Sequence, residues 1–117
     1  MFKLADENTT YDYPVTVRVP AAGGRAQEQT FTAHFRLLPA DEVRQMTDDG
    51  SSNKDFLKRI LAGWDGIHDA KGKALPYNAS NLEKLANINY FTTAVGQAYA
   101  AFAMGLPAKN SKPPRGH

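Results

Sequence analysis

The sequence predicts an α+β fold: an N-terminal antiparallel β-hairpin followed by a small bundle of three to four helices. Two observations carry this. Near the N-terminus, two stretches alternate apolar and polar residues with the period of a half-buried strand. From Pro39 onward, apolar residues recur at helical spacing, and Pro, Asn or Ser stand where helices begin. The 117 residues suffice for one modest core, since a chain of this size buries roughly 65% of the surface its unfolded form exposes.

The first strand is Tyr13-Pro14-Val15-Thr16-Val17-Arg18-Val19, with Tyr13, Val15, Val17 and Val19 on one face. The second runs from Phe31 to Leu37, with Phe31, Ala33, Phe35 and Leu37 on one face and His34 on the other. Between them Pro20 to Ala26 is a Gly-rich connection, and Gly23-Gly24-Arg25 reads as a hairpin turn rather than a phosphate loop. Pro14 marks an edge strand or a strand entry. Phe2-Lys3-Leu4 is a candidate third, short strand.

Pro39-Ala40-Asp41-Glu42 starts a short helix, with Pro in the first turn and acidic residues at the positive end of the dipole. It ends at a polar loop, Asp48 to Asn53. Asn53 is the expected cap of a helix whose stripe is Phe56, Leu57, Ile60 and Leu61, with Gly63 ending it. Asp69 to Lys73 reads as a reversal with Gly72 at its left-handed position, so that Trp64 and Ile67 face Leu75 and Tyr77 in a hairpin-like flap. Ser80-Asn81-Leu82-Glu83 has capping-box spacing and opens a helix through Leu85. Asn89 is the expected cap of the last helix, Tyr90 to about Met104, with the stripe Phe91, Val95, Ala98 and Phe102 and with Gly105 closing it. The domain is read as residues 1–106, followed by a basic, proline-containing, flexible tail over 107–117.

Composition excludes several classes. Without cysteine there are no disulfides, thiolate metal sites or Cys nucleophiles. The formal charge of +2 comes from Lys and Arg interleaved with Asp and Glu, not from a basic face, so nucleic acid is not an expected partner. The cations of the tail, Lys109, Lys112 and Arg115, are too few to change that. The N-terminal residues lack an apolar signal region, and no apolar run reaches the roughly 20 residues a bilayer span needs. A soluble, cytoplasmic protein without a membrane partner is the expectation.

Chemistry is sparse. His68 with Asp65 and Asp69 makes a conceivable divalent-cation site, but one His and two Asp in a turn are better explained as turn chemistry. No serine stands in a nucleophile elbow, and Ser80 already serves as a cap. The acidic pairs Asp41/Glu42 and Asp48/Asp49 read as a helix start and a loop, and Lys58-Arg59 as a solvated helix face. No catalytic residue, metal or cofactor is assigned. Surfaces are better represented: an edge strand open to extension, and Tyr90, Tyr99 and Phe102 on the last helix, more than a small core readily covers. Trp64 reads either as a core anchor or as a recognition hot spot. An interaction protein is the resulting class.

From Asp55 to about Met104 the chain resembles the tail assembly chaperones of long-tailed, siphovirus-type bacteriophages and prophages. The resemblance lies in Phe56-Leu57-Lys58-Arg59-Ile60-Leu61, Gly63-Trp64-Asp65-Gly66-Ile67, the reversal from Asp69 to Lys73, Leu75-Pro76-Tyr77, Ser80-Asn81-Leu82-Glu83 and the helix from Tyr90 to Ala103. It implies a non-enzymatic virion-assembly factor of the host bacterial cytoplasm, absent from the mature virion. Such a protein binds the tape measure protein, keeps it soluble and helps recruit subunits of the major tail tube protein. In this family a programmed frameshift often adds a longer product, and Ala108-Lys109-Asn110 is compatible with an A-AAA-AAC slip site. The residues expected to cover the partner are Trp64 and Tyr77 on the flap, and Phe91, Tyr99 and Phe102 on the last helix, each of which core burial explains equally well. Self-association is compatible with the same surfaces. The alternative class is a tail-completion or connector protein retained in the virion.

Overall fold

The structure is a computed structural model that describes residues 1–4, 6, 8–48 and 53–108. The centre of the predicted polar loop and the tail from Lys109 onward lie outside the described residues, as does the side chain of the expected cap Asn53. Among the described residues the chain forms a three-stranded antiparallel sheet and four α-helices.

Strands β1 (Thr10–Ala21) and β2 (Arg25–Arg36) form the hairpin, joined by the turn Ala22–Gly24. The ladder is unbroken from Thr10↔Arg36 to Ala21↔Arg25, so the strands run further than the apolar alternation indicates. Its core half buries Tyr13, Val15, Val17, Phe31, Ala33 and Phe35. Beyond Val17 and Thr30 the ribbon stands largely in solvent, braced across the strands by Arg18 and Glu28 at 3.7 Å and by the Thr16 and Thr30 hydroxyls at 3.4 Å. β1 is an edge strand, where Pro14 costs the ladder no donor. The alternation stops at Arg36: Leu37 is exposed and Leu38 turns inward instead.

The third strand is not Phe2-Lys3-Leu4, whose apolar side chains are exposed and belong to no element. It is β3 (Leu61–Asp65), in the segment read as a helix end and turn. Helix α2 (Asn53–Ile60) passes into β3 without a linking residue. The cause is long-range. Nη1 of Arg36 reaches the carbonyls of Lys58 at 3.4 Å, Arg59 at 3.2 Å and Leu61 at 3.2 Å, satisfying acceptors that a helix end leaves unpaired. The chain then pairs with β2 through Phe35↔Leu61, His34↔Gly63, Ala33↔Trp64 and Thr32↔Asp65, with a bulge between His34 and Phe35. Gly63 therefore sits inside a strand and does not end the helix.

Helix α1 (Ala40–Asp48) begins just after Pro39, whose carbonyl accepts from the amides of Glu42 and Val43 at 3.1 and 3.2 Å. Glu42 pairs with Arg59, so Arg59 joins α1 to α2, while Lys58 is exposed. Lys54 and Glu83 join α2 to the next helix at 2.9 Å. That helix, α3 (Ala79–Ala86), is capped not by Ser80 but by Asn78, whose Oδ1 accepts from the Asn81 amide at 2.8 Å. Both residues are capping types; Asn81 decides between them, because its Nδ2 also donates to the Pro76 carbonyl at 2.8 Å and fixes the approach one turn earlier.

Helix α4 (Asn89–Ala103) has Ile88 at its N-cap without a side-chain bond, and Asn89 lies within its first turn rather than capping it. Its end is a Schellman motif: Gly105 at φ 76° donates to Phe102 at 3.0 Å, and Leu106 to Ala101 at 2.9 Å. α4 lies over the inner face of β1 and buries Phe91, Ala94, Val95 and Tyr99 there. The packed body continues past residue 106, since Tyr13 Oη donates to the Leu106 carbonyl at 3.1 Å and Ala108 is buried in the core. Asn78→Ala should lower unfolding stability by about 1 kcal/mol, and Ser80→Ala should leave it nearly unchanged; urea denaturation of the two variants checks the cap.

Candidate functional site

The flap forms on β3. Ile67 and Leu75 pair at 2.8 Å, and His68 and Ala74 make a bridge. The reversal is held by Asp69, whose Oδ1 accepts from the amides of Lys71 and Lys73 at 2.9 and 3.0 Å, with Gly72 at φ 82°. Trp64 anchors this unit: its ring is buried, its Nε1 donates to the Leu75 carbonyl at 2.8 Å, and Tyr77 stands edge-on to it at 4.9 Å. Tyr77 is the outermost of the group, 37% exposed, with its hydroxyl on the Leu61 carbonyl at 2.6 Å.

The other three aromatic candidates face inward. Phe91 stacks on Phe31 at 5.5 Å and is buried. Tyr99 is buried against Phe35 and Phe56, and its hydroxyl accepts from the Leu38 amide at 2.9 Å. Burial pushes its phenol above the ordinary tyrosine value, against the opposing hydrogen bond from Leu38. Phe102 is half-buried among Tyr11, Tyr13 and Phe35. Of the five predicted contact residues, Tyr77 and the rim of Phe102 are therefore available to a partner, while Trp64, Phe91 and Tyr99 build the fold.

The opposite flank of α4 is open. A groove of about 950 Å³ runs between this flank and the edge of β1. Tyr90, Thr93, Ala94, Gln97, Ala98 and Ala101 form its helical wall; Tyr13, Pro14 and Thr16 with the Arg18–Glu28 pair form the strand side, and Leu106 and Pro107 close one end. α4 carries no charged residue in its 15 positions, which is unusual for a helix with a solvated flank. The small residues of this helix in the sequence, Ala94, Ala98 and Ala101 among them, are compatible with close helix packing, and the structure places these three along the groove.

The outer face of the sheet holds a cluster that the sequence does not announce. His34 on β2 places Nδ1 2.5 Å from Asp12 Oδ1 on β1 and Nε2 3.0 Å from Asp65 Oδ2 on β3. Gly63 makes this possible, since a Cβ there would lie 3.1 Å from His34 Cδ2. Partial burial works against the imidazolium, but hydrogen bonds and charge from Asp12 and then Asp65 outweigh it and raise the His34 pKa above 6.5. The residues of the conceivable cation site are thus otherwise engaged, Asp65 with His34 and Asp69 within its turn. Among the described residues no group of three or more His, Asp or Glu is placed to hold a metal ion.

Comparison with protein-family models, curated proteins and solved structures finds no match for this chain. Among the described residues no helix is long and apolar enough to cross a membrane.

Two phenol-to-phenyl changes separate anchoring from surface roles. Tyr99→Phe strands the buried Leu38 amide and should cost about 1–3 kcal/mol, whereas Tyr77→Phe, with water able to replace its partner, should cost about 0.5–1.5 kcal/mol. Chemical denaturation of both variants gives the ordering.

Proposed function

We propose that this protein is a phage tail assembly chaperone that binds the tape measure protein in the host cytoplasm, keeps it soluble and helps recruit tail tube subunits. Two lines support the reading: the ordered residues of the Asp55 to Met104 resemblance, and the open flank of α4. The flank is the observation that carries it. A helix with no charge, lined outward by Thr93, Gln97, Ala98 and Ala101 and bordered by the apolar surfaces of Tyr90 and Leu106, offers a shallow trough for a second helix. A long helical chain cannot bury its own apolar stripe, and many copies of a small grooved protein would cover it, each weak contact reinforced by its neighbours along the same chain. The contact surface in this reading is the groove itself, not the enclosed rings of Trp64, Phe91 and Tyr99. The function needs no catalytic group or cofactor, and the protein leaves before the virion is complete.

The test expresses the native gene fragment with an N-terminal tag and reads by mass spectrometry the intact mass of every tagged product and of what co-purifies. A very long helical partner, with a minor longer form of this chain, is the expected result. A single short product without such a partner, together with its presence in purified virions, supports the tail-completion or connector class instead. Ala101→Glu places a charge in the groove and should reduce capture of the partner at least about tenfold, the equivalent of ~1.4 kcal/mol, while the thermal midpoint stays near that of the parent.

A further inference from the structure

Asp12, His34 and Asp65 link all three strands on the outer face of the sheet. His34 faces Asp12 directly in the β1–β2 register and faces Gly63 in the β2–β3 register. With no side chain at Gly63, the imidazole lies across β3 and reaches Asp65 diagonally. A neutral imidazole has one N–H donor and one acceptor nitrogen, whereas an ionised carboxylate only accepts. Both contacts are hydrogen bonds only when the ring carries two protons. In the neutral ring one nitrogen lone pair confronts a carboxylate, and that contact becomes repulsive.

We propose that His34 is a proton-operated clamp: as imidazolium it ties β1 and β3 to the central strand, and on losing a proton it releases the end of β3 and loosens the flap that hangs from Trp64. Asp65 is the partner released, being the longer contact, 3.0 Å against 2.5 Å. β3 is only five residues long and is paired on one side, and its last residue, the exposed Asp65, is joined to the sheet through its register with Thr32 and this contact with His34. Trp64 is its penultimate residue, and the flap is fastened through the Trp64 indole and the Leu61 carbonyl. The charged groups facing His34 are Asp12 from β1 and Asp65 from β3. The next charge on the same face of β2, Arg36, is committed to the carbonyls at the end of α2.

The sign follows from linkage. Because the folded His34 holds its proton above 6.5, the clamp contributes fully below that pH and its contribution is lost as pH rises through the higher folded value. Trp64 is the chain's single tryptophan, so its fluorescence reports this strand alone.

The test is a titration of the full chain from slightly acid to alkaline pH, following the His34 ring by NMR, with its signals assigned from His34→Gln, and Trp64 emission in parallel. The expected result is a His34 midpoint above 6.5, a Trp64 transition at the same midpoint, and faster amide exchange over the flap on the alkaline side. Asp65→Asn should weaken proton binding at His34 about tenfold and uncouple the flap from pH, because the amide accepts from the imidazolium and donates to the neutral ring. Asp12→Asn should weaken proton binding without loosening the flap in the acid range. If His34 titrates at or below 6.5, or Trp64 and the flap amides do not respond through the His34 transition, the clamp is refuted. The asparagine variants keep side-chain size and so preserve the test if His34→Gln does not fold.

Discussion

Strand β2 is engaged along both edges and on both faces, and the other elements take their positions from it. Its ladder with β1 sets which residues of the hairpin point inward, and a slip of one residue would turn Phe31, Ala33 and Phe35 out into water. Its second edge captures Leu61 to Asp65. Its inner face receives the rings of Phe91, Tyr99 and Phe102 from α4, and its outer face carries the imidazole that bridges the flanking strands. A short chain can build a core this way because one strand serves several neighbours.

Arg36 shows how the polar side of the structure follows from the same strand. One guanidinium satisfies carbonyls on either side of the helix-to-strand junction, so α2 can stop and β3 begin without a loop. The buried polar groups are handled with similar economy. The Tyr99 hydroxyl takes the Leu38 amide, Asn81 takes the Pro76 carbonyl, and among the described residues no buried side-chain polar atom lacks a partner. The aromatic residues that look surplus in the sequence are consumed by this core.

The hairpin, the flap reversal and the Gly105 helix end were legible because each rests on local rules: strand alternation, an Asp-to-Gly turn and a left-handed glycine. β3 was not legible, because Leu61-Ala62-Gly63-Trp64-Asp65 continues a helical stripe and becomes a strand only through Arg36 and the free edge of β2, distant in sequence. The cap of α3 was misplaced by two residues because Asn78 and Ser80 are both capping types, and the choice depends on a bond from Asn81 to Pro76. The His34 cluster joins residues 22 and 31 positions apart, and nothing in local spacing marks them. The five aromatic candidates were identifiable as important, but helical spacing alone cannot say whether a ring points at its own sheet or at a partner.

The fastening of the chain after α4 has a consequence for anything attached beyond it. Leu106 is bonded to Tyr13 and Ala108 is embedded in the core, so the exit point of the polypeptide is fixed at the closed end of the groove and does not swing with the helix terminus. A short tether engineered onto such an anchored origin would sample a small volume beside the trough. Its local concentration there is in the millimolar range expected for short tethers. Even a weakly adhesive extension would then compete with, or hand over, whatever occupies the trough, through chain geometry alone.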